Sequence, residues 1–525
     1  MQTATVSKDP SDAELLKAPP ATGERRPLVE SLLTGMGALG VSLGCERGAS
    51  FLSNVLAARL AGAAAFGAYS LALTTANNVA VYAGAGIGTT ANRFVGQFPQ
   101  ESPGYRRLLR ALALIACSSA ALAAVVLWIG ARPLAISLVH NAKLAGPLRV
   151  AALSAAGFIL LECCRGLLIG QRSYRWLVTL SAMVGAGLLL AIPATARFGA
   201  APMLAGQAAA VTIAVAITGW LIFRSLGAKT LTIAPQNGPS VWRVWRFGLV
   251  QLGEIIGLNA AGWWVAALVA RSDPSMTQMA FFAIANQLRN VSTLVPSLVG
   301  QTSFAMLTEE SGAGFGGSAR VLTVSSMIAS LLAAACAGGA MTLLPFVLHG
   351  LYGSAYRGAE LAAAIAIATV VIHMGSAPTA SRITILSLRD SGIINLIWSG
   401  FVFAVASRFI GQAGAAAAAA TFLAAHLLSM ILGLAWLRWR AALPSGVLAA
   451  SALNLVVAAG LLSVAWLRYS SAISAFSACL ASAAFTALAI CMVWRLGCIC
   501  HSFPAKLRWT DLRSGLERVT RRVRA

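Results

Sequence analysis

From about residue 33 to about residue 496 the chain is a succession of long apolar runs separated by short polar joins. A helix of roughly 20 apolar residues spans the ~30 Å hydrocarbon core of a bilayer. Within lipid every backbone N–H and C=O must be paired inside the structure, so spanning segments are helices or closed barrels. Runs this long, with no alternation of polar and apolar positions, specify helices. About fourteen can be drawn, at 33–58, 66–92, 108–130, 148–170, 176–195, 201–223, 246–270, 278–307, 321–348, 359–387, 391–410, 413–436, 445–467 and 473–496. Charged residues make up 10% of the chain and hydrophobic ones 58%, whereas a soluble domain carries about 25% charged residues. The fold class expected is an all-α polytopic membrane protein. The Ala-rich join Gly411–Ala420 leaves the limits of the eleventh and twelfth spans least defined.

Orientation follows from the basic residues, which favour the cytoplasmic side. Of the 39 Lys and Arg, roughly three in four fall on one side of the drawn topology. That side includes Arg106, Arg107, Arg110, Arg172, Arg175, Arg243 and the cluster from Arg495 to Arg524. Both termini are therefore expected in the cytoplasm, as an even number of spans requires. The net charge of +23 is mostly this asymmetry and calls for no nucleic-acid partner. Residues 1–31 are polar, contain prolines and lack the apolar core of a signal peptide. They read as a disordered tail, with the first helix serving as an uncleaved insertion signal. At the other end, residues 501–525 set Leu507, Leu512, Leu516, Val519 and Val523 at helical spacing among basic residues. A basic amphipathic helix of this kind suits a surface of anionic lipids.

The stretch from Gly48 to Gly96 is the most specific part of the chain. Asn54, Leu56, Ala58, Arg59, Leu60 and Gly62 open it; Phe66, Gly67, Tyr69, Ser70, Leu71 and Ala72 follow; Gly86, Gly88, Arg93 and Phe94 close it. This order resembles the first helical hairpin of the polysaccharide-export branch, that of Wzx-like oligosaccharide flippases, in the multidrug/oligosaccharidyl-lipid/polysaccharide (MOP) superfamily. The resemblance implies two six-helix lobes around a central cavity, with two further helices at the C-terminus. It implies a transporter rather than an enzyme, with no cofactor, in a bacterial inner membrane. Its cargo would be a polyprenyl-pyrophosphate-linked oligosaccharide repeat unit, and polysaccharide polymerase machinery is an expected partner. On this reading residues 32–224 form the first lobe, 225–243 a cytoplasmic connector, 244–440 the second lobe and 441–500 the two additional helices. A cation-coupled multidrug extruder of the same superfamily is the alternative. It would need a carboxylate site, for which Glu46 and Glu254 are available, whereas Arg47 and Arg289 disfavour a cationic cargo.

An internal repeat supports two lobes. Residues 66–110 lie over 279–323 without a gap, bringing Phe66-Gly67-Ala68-Tyr69 onto Met279-Ala280-Phe281-Phe282 and Arg107 onto Arg320. The two copies run in the same sense, so they are parallel repeats, with a pseudo-twofold along the membrane normal and a binding site between them near the midplane.

A charge at the centre of a membrane helix costs at least about 2.5–3.5 kcal/mol, so each one needs a partner or a wet cavity. Glu46 and Arg47 stand in the first span, Glu254 and Asn259 in the seventh, and Asn286, Gln287, Arg289 and Asn290 in the eighth. Arg47, Arg289, Asn286, Gln287, Asn290 and Asn259 are the candidate substrate-binding residues; Glu46 and Glu254 are candidates for ion coupling or for charge pairing. The plainer reading pairs Glu46 or Glu254 with Arg47 or Arg289 to lock the lobes together. Arg93, at the end of the second span, either binds the pyrophosphate or snorkels to headgroups. Glu162 and Arg165 stand at i,i+3 and read as an intrahelical pair. His373 and Arg382 are candidates to line the second lobe, with a structural role the simpler reading of the histidine. Cys498, Cys500 and His501 lack the second ligand pair of a zinc site, so no metal is expected. No catalytic constellation is present in the loops.

Overall fold

The computed structural model describes residues 28–96, 103–225, 241–311 and 315–499. At 28–39, 103, 222–225, 241, 243–244, 246–255, 305, 309–311 and 315–317 only the backbone is described. The tails at 1–27 and 500–525 and most of the 225–243 connector therefore lie outside the described residues, and with them the amphipathic C-terminal helix, Cys500 and His501.

The described residues form fourteen α-helices and no strand. In chain order these are α1 (Leu28–Gly84), α2 (Ile87–Val95), α3 (Pro103–Pro133), α4 (Ala145–Gly170), α5 (Tyr174–Ala196), α6 (Ala200–Ser225) and α7 (Val241–Ser272). There follow α8 (Thr277–Ser311), α9 (Phe315–Phe346), α10 (Glu360–Gly375), α11 (Ala377–Leu386), α12 (Leu388–Trp439), α13 (Ser445–Tyr469) and α14 (Ala475–Ile499). Two of them are too long for one crossing. At 1.5 Å per residue, the 57 residues of α1 and the 52 of α12 would each reach far beyond a bilayer. Each is divided by one glycine whose backbone leaves the helical region: Gly62 at φ 78° in α1 and Gly414 at φ 52° in α12. A side chain is strained at such a φ and glycine is not. The break at Gly414 falls inside the Ala-rich join and separates the eleventh and twelfth expected spans. There the side-chain Oε1 of Gln278 accepts the Ala415 N–H at 3.0 Å, satisfying a donor at the start of the second limb.

With these two divisions, α1 to α6 supply six crossings, α7 to α12 six more, and α13 and α14 the last two. Ten helical stretches among the described residues are long and apolar enough to cross a membrane by length and composition alone. α8 is not among them, because Asn286, Gln287, Arg289 and Asn290 interrupt its apolar sequence. Two expected spans are broken where the sequence suggested continuity. The second passes through Ala85 and Gly86, both at positive φ, before α2 begins. The tenth is split into α10 and α11 at Ser376.

The repeat is visible in the irregular turns as well. α3 ends in a π-turn, Leu134–Leu138, and α9 ends in another, Val347–Tyr352. The shift that carries Phe66 onto Met279 also carries Leu134 onto Val347. A short 3-10 turn follows in each copy before the next helix. α1 packs on α5 and α4, and α3 on α4, within the first lobe; α12 packs on α7 and α10, and α8 on α9 and α10, within the second. α13 and α14 pack against α9 and α10, so they extend the second lobe.

Candidate functional site

The lobes meet chiefly through α1, α7 and α8. At the end of the seam near Gly62 they are latched. Arg59 Nη2 donates to the Gly350 carbonyl at 2.7 Å, Tyr356 Oη to the Ala58 carbonyl at 2.8 Å, and Asn141 Nδ2 to the Pro274 carbonyl at 3.3 Å. Gly67 sits so close to the Met276 carbonyl that a Cβ there would fall 2.0 Å from its oxygen. A glycine is required at this contact. Further along the seam Gln287 Nε2 donates to the Phe51 carbonyl at 2.9 Å, and Trp263 Nε1 to Thr75 Oγ1 at 3.0 Å.

Between these contacts the lobes enclose a cavity of about 480 Å³. Both limbs of α1 supply one wall, with Arg47, Asn54, Asn77 and Asn78; α7 and α8 supply the other, with Asn259, Trp263, Asn286, Gln287, Arg289 and Asn290. Phe66, Tyr69, Phe282 and Phe422 add aromatic surface. Its cations come from opposite lobes: Arg47 is exposed to the cavity, and Arg289 stands with its guanidinium carbon 5.5 Å from the centre of the Phe422 ring, within cation–π range. No carboxylate lines this cavity among the described side chains. Amides that donate and accept, aromatic faces and two guanidinium groups make a surface that suits polyhydroxyl groups and phosphate oxygens.

Six of the residues singled out in the sequence, Arg47, Asn259, Asn286, Gln287, Arg289 and Asn290, are gathered on this one cavity. Arg93 is not: it lies on α2 with an exposed side chain. The side chain of Glu254 lies outside the described residues, and only its backbone is placed on α7. Glu46 pairs with neither Arg47 nor Arg289, contrary to the plainer expectation. It accepts from Arg165 Nη2, while Arg165 Nη1 binds Glu162 Oε1 at 2.6 Å. This triad lies wholly within the first lobe. The expected i,i+3 pair is present and has a third member, because α1 and α4 pack on each other. It borders a second chamber of about 490 Å³ lined also by Asn77, Gly86, Thr89 and Gln207. Arg47, Ser50, Leu73 and Asn77 border both chambers. Asn54, Asn77 and Asn78 were not picked out as site residues. The repeat contains the signal for one of them, since the same shift carries Asn77 onto Asn290.

The Gly86 and Gly88 of the first hairpin have clear structural roles. Gly86 adopts φ 66° to let α2 start anew, and the hydroxyls of Thr89 and Thr90 donate to its carbonyl. Gly88 and Gly166 bring the backbones of α2 and α4 together: a Cβ on Gly166 would lie 2.1 Å from the Gly88 oxygen. Gly166 and Gly170 form the small-xxx-small spacing that allows membrane helices to approach closely.

Known proteins agree with this architecture. No protein-family model matches the chain. Over 308 residues it is 24% identical to the EPS I polysaccharide export inner membrane protein EpsE of Ralstonia solanacearum, covering 56% of this chain and 67% of that protein. Among solved structures it resembles the lipid II flippase MurJ in an inward closed conformation, with a TM-score of 0.58 at 13% identity over 89% of this chain and 98% of that one. It also resembles an inward-facing multidrug resistance MATE transporter of the MOP superfamily, with a TM-score of 0.58 at 14% identity over 77% and 98%. The chain has the fold of MOP transporters, and its resemblance to the polysaccharide-export branch extends well beyond the first hairpin.

Proposed function

We propose that this protein is a flippase that moves a polyprenyl-pyrophosphate-linked oligosaccharide repeat unit from the cytoplasmic to the outer leaflet of a bacterial inner membrane. The observation that carries the reading is the central cavity, where Arg47 and Arg289 face each other's lobes across amides and aromatic rings with no carboxylate among the described side chains. The two guanidinium groups replace water around the pyrophosphate. Asn54, Asn77, Asn259, Asn286 and Asn290 hydrogen-bond sugar hydroxyls, and the polyprenyl tail stays in lipid. Both termini face the cytoplasm, and the latched end around Gly62 and Gly350 faces the periplasm. Transport then requires that latch to open while the lobes rock about the cavity. Each negative charge leaving a cytoplasm-negative cell gains about 2.3 kcal/mol per 100 mV, which favours export of an anionic cargo. A cationic drug as cargo is disfavoured by the same two arginines.

The test is complementation of polymer export in a strain lacking its own flippase. Arg47→Ala combined with Arg289→Ala is expected to abolish export with the protein still present in the membrane. Arg→Lys at either site should restore only part of it, because an ammonium cannot grip phosphate in the bidentate manner of guanidinium. Full export by the well-expressed double Ala variant would refute the reading.

A further inference from the structure

The interior of the second lobe contains a pair of imidazoles that the transport reading does not use. His373, in the last turn of α10, and His426, in the middle of the second limb of α12, stack with ring centroids 4.1 Å apart and planes 21° from parallel. Both lie near the middle of their membrane crossings. Both are half-buried rather than sealed, and neither has a hydrogen-bond partner on the described residues. The neighbouring Trp398 Nε1 is buried without an acceptor. One turn beyond each histidine, Ser376 and Ser429 border a separate small space of about 50 Å³, with Thr379, Ser391 and Asn395 and the apolar Ala380, Ile383, Ile394 and Met430 on its other sides; the imidazoles themselves do not line it. A space of that size, with hydroxyl and amide side chains on part of its wall, accommodates a water molecule or two. It reaches Ser391 and Asn395 near the start of α12, which the distribution of basic residues puts on the cytoplasmic side.

On the opposite side, the pair is joined to the central cavity by packed rings. His426 lies 5.5 Å from Trp398, Trp398 stacks on Phe422 at 6.0 Å, and Phe422 stacks on Phe282 at 6.3 Å. Phe422 and Phe282 are themselves cavity walls, and Arg289 stands over Phe422. Among the described side chains, Arg289 on α8 stands over Phe422 on the same run of packed rings, and its charge acts on both imidazoles; the side chain of Glu254, on α7, lies outside the described residues. Other described groups on these elements are engaged or stand elsewhere. Arg382 on α11 donates to Ser318, Asp390 pairs with Arg440 at the foot of α12, and Glu360 at the start of α10 pairs with Arg468 of α13. Tyr356 is bonded to Ala58 and stacks with Tyr352, Arg408 lies over Phe409 beside the break in α12, and Cys336 is on α9.

We propose that His373 and His426 form a proton-binding site in the second lobe whose occupancy strengthens anion binding at Arg289. The stacked pair takes one proton: two charged imidazoles about 4 Å apart would repel strongly. Among the described residues no further His, Cys, Asp or Glu joins the pair in a group that could hold a metal ion. With the site empty, Arg289 is the cation on that wall. With it filled, a second positive charge stands behind Arg289 and adds to the attraction for a pyrophosphate. By linkage the reverse holds, so a bound anion favours uptake of the proton.

This inference rests on the anion-binding reading of the cavity, and the experiment separates the two. Binding of farnesyl pyrophosphate to the purified protein in nanodiscs would be measured by calorimetry from pH 5 to pH 8, in buffers of different ionisation enthalpy. The comparison is with His373→Gln combined with His426→Gln, so the probe's own titration cancels. We expect equal affinities at pH 8, about tenfold tighter binding by the wild type at pH 5, and proton uptake on binding that the double variant lacks. Arg289→Gln should weaken the probe at all pH values and reduce the histidine-dependent difference. To guard against disturbed packing by paired Gln, His373→Asn and His426→Asn alone serve as second variants, and each should lose part of the pH dependence. Binding whose pH dependence is unchanged in the histidine variants overturns the proton site and leaves the anion site standing. No binding at any pH overturns both.

Discussion

The two lobes share one architecture and handle charge in opposite ways. In the first, Arg165 is bracketed by Glu46 and Glu162, so this arginine is already matched by carboxylates of its own lobe. In the second, Arg289 stands over Phe422, with the histidine pair further along the same packed rings, and no carboxylate lines its cavity among the described side chains. A buried cation already paired has little field left for a ligand. A cation left without a counter-charge lowers its free energy when an anion arrives. The repeat thus supplies the scaffold twice, and the charges break its symmetry: Arg165 of the first lobe is matched by carboxylates, whereas Arg289 of the second lines the central cavity, as Arg47 of the first does, with no carboxylate among the described side chains there.

The largest expected effect tests that contrast. Arg165→Ala would leave two carboxylates facing each other inside the first lobe, and breaking a buried pair from one side costs about 3–5 kcal/mol. Glu46 and Arg165 are each 21% exposed and Glu162 is 55% exposed, so solvent screening brings the loss below that range, to about 1–3 kcal/mol. A clear drop in the melting temperature or in monodisperse yield is expected by thermal-shift size exclusion. Arg289→Ala should leave melting nearly unchanged and remove export. If the two variants lose stability equally, the contrast between the lobes is wrong.

A smaller effect concerns how α12 reverses. The first lobe makes its corresponding break between α5 and α6 with an ordinary loop containing Gly199 at φ 100°. The second makes it at Gly414 and relies on Gln278, from α8, to accept the Ala415 N–H. Gln278→Ala removes that acceptor and costs about 1–2 kcal/mol, the penalty for a lost buried hydrogen bond. Gln278→Glu, which keeps an acceptor, should retain most of the stability. Equal loss by both variants would show that the bond accepted from Ala415 is not what Gln278 contributes.

Much of this was legible in the sequence because membrane helices announce themselves by length and apolarity. The fourteen crossings, the parallel repeat and the gathering of Arg47, Asn259 and the Asn286–Asn290 turn all follow from where apolar runs sit and where polar residues interrupt them. What was not legible depends on which helix faces are neighbours. Glu46 finds Arg165 because α1 packs on α4, a contact that no spacing along the chain encodes. His426 was unremarkable until α10 brought His373 against it. The short helix α2 also escaped notice, since its break depends on the φ values of Ala85 and Gly86 rather than on hydropathy.

The smallest effect lies in a turn that the repeat builds in two ways. Between the first two limbs, Gly62 alone makes the turn. Between α7 and α8, Asp273 does the equivalent work with its side chain: Oδ1 accepts the Ser275 N–H and Oδ2 the Gln278 N–H, both at 2.9 Å. Partial burial alone would raise its pKa, but the hydrogen bonds from Ser275, Gln278 and Thr277 outweigh it and hold the carboxyl below the ordinary 3.8. A carboxyl depressed in the folded state contributes stability that is present above the unfolded value and disappears as pH falls through the folded one. The group is near the surface, so the contribution is a few tenths of a kcal/mol, up to about 1 kcal/mol for a good helix cap. Wild-type melting temperature in detergent should therefore fall slightly faster than that of Asp273→Asn between pH 5 and pH 3. At neutral pH the variant should be the less stable of the two by the same small margin. A Gly62→Ala variant, strained at a positive φ, should be destabilised equally at both pH values. Parallel pH profiles for wild type and Asp273→Asn would mean that the second lobe's turn, like the first lobe's, depends on backbone conformation alone.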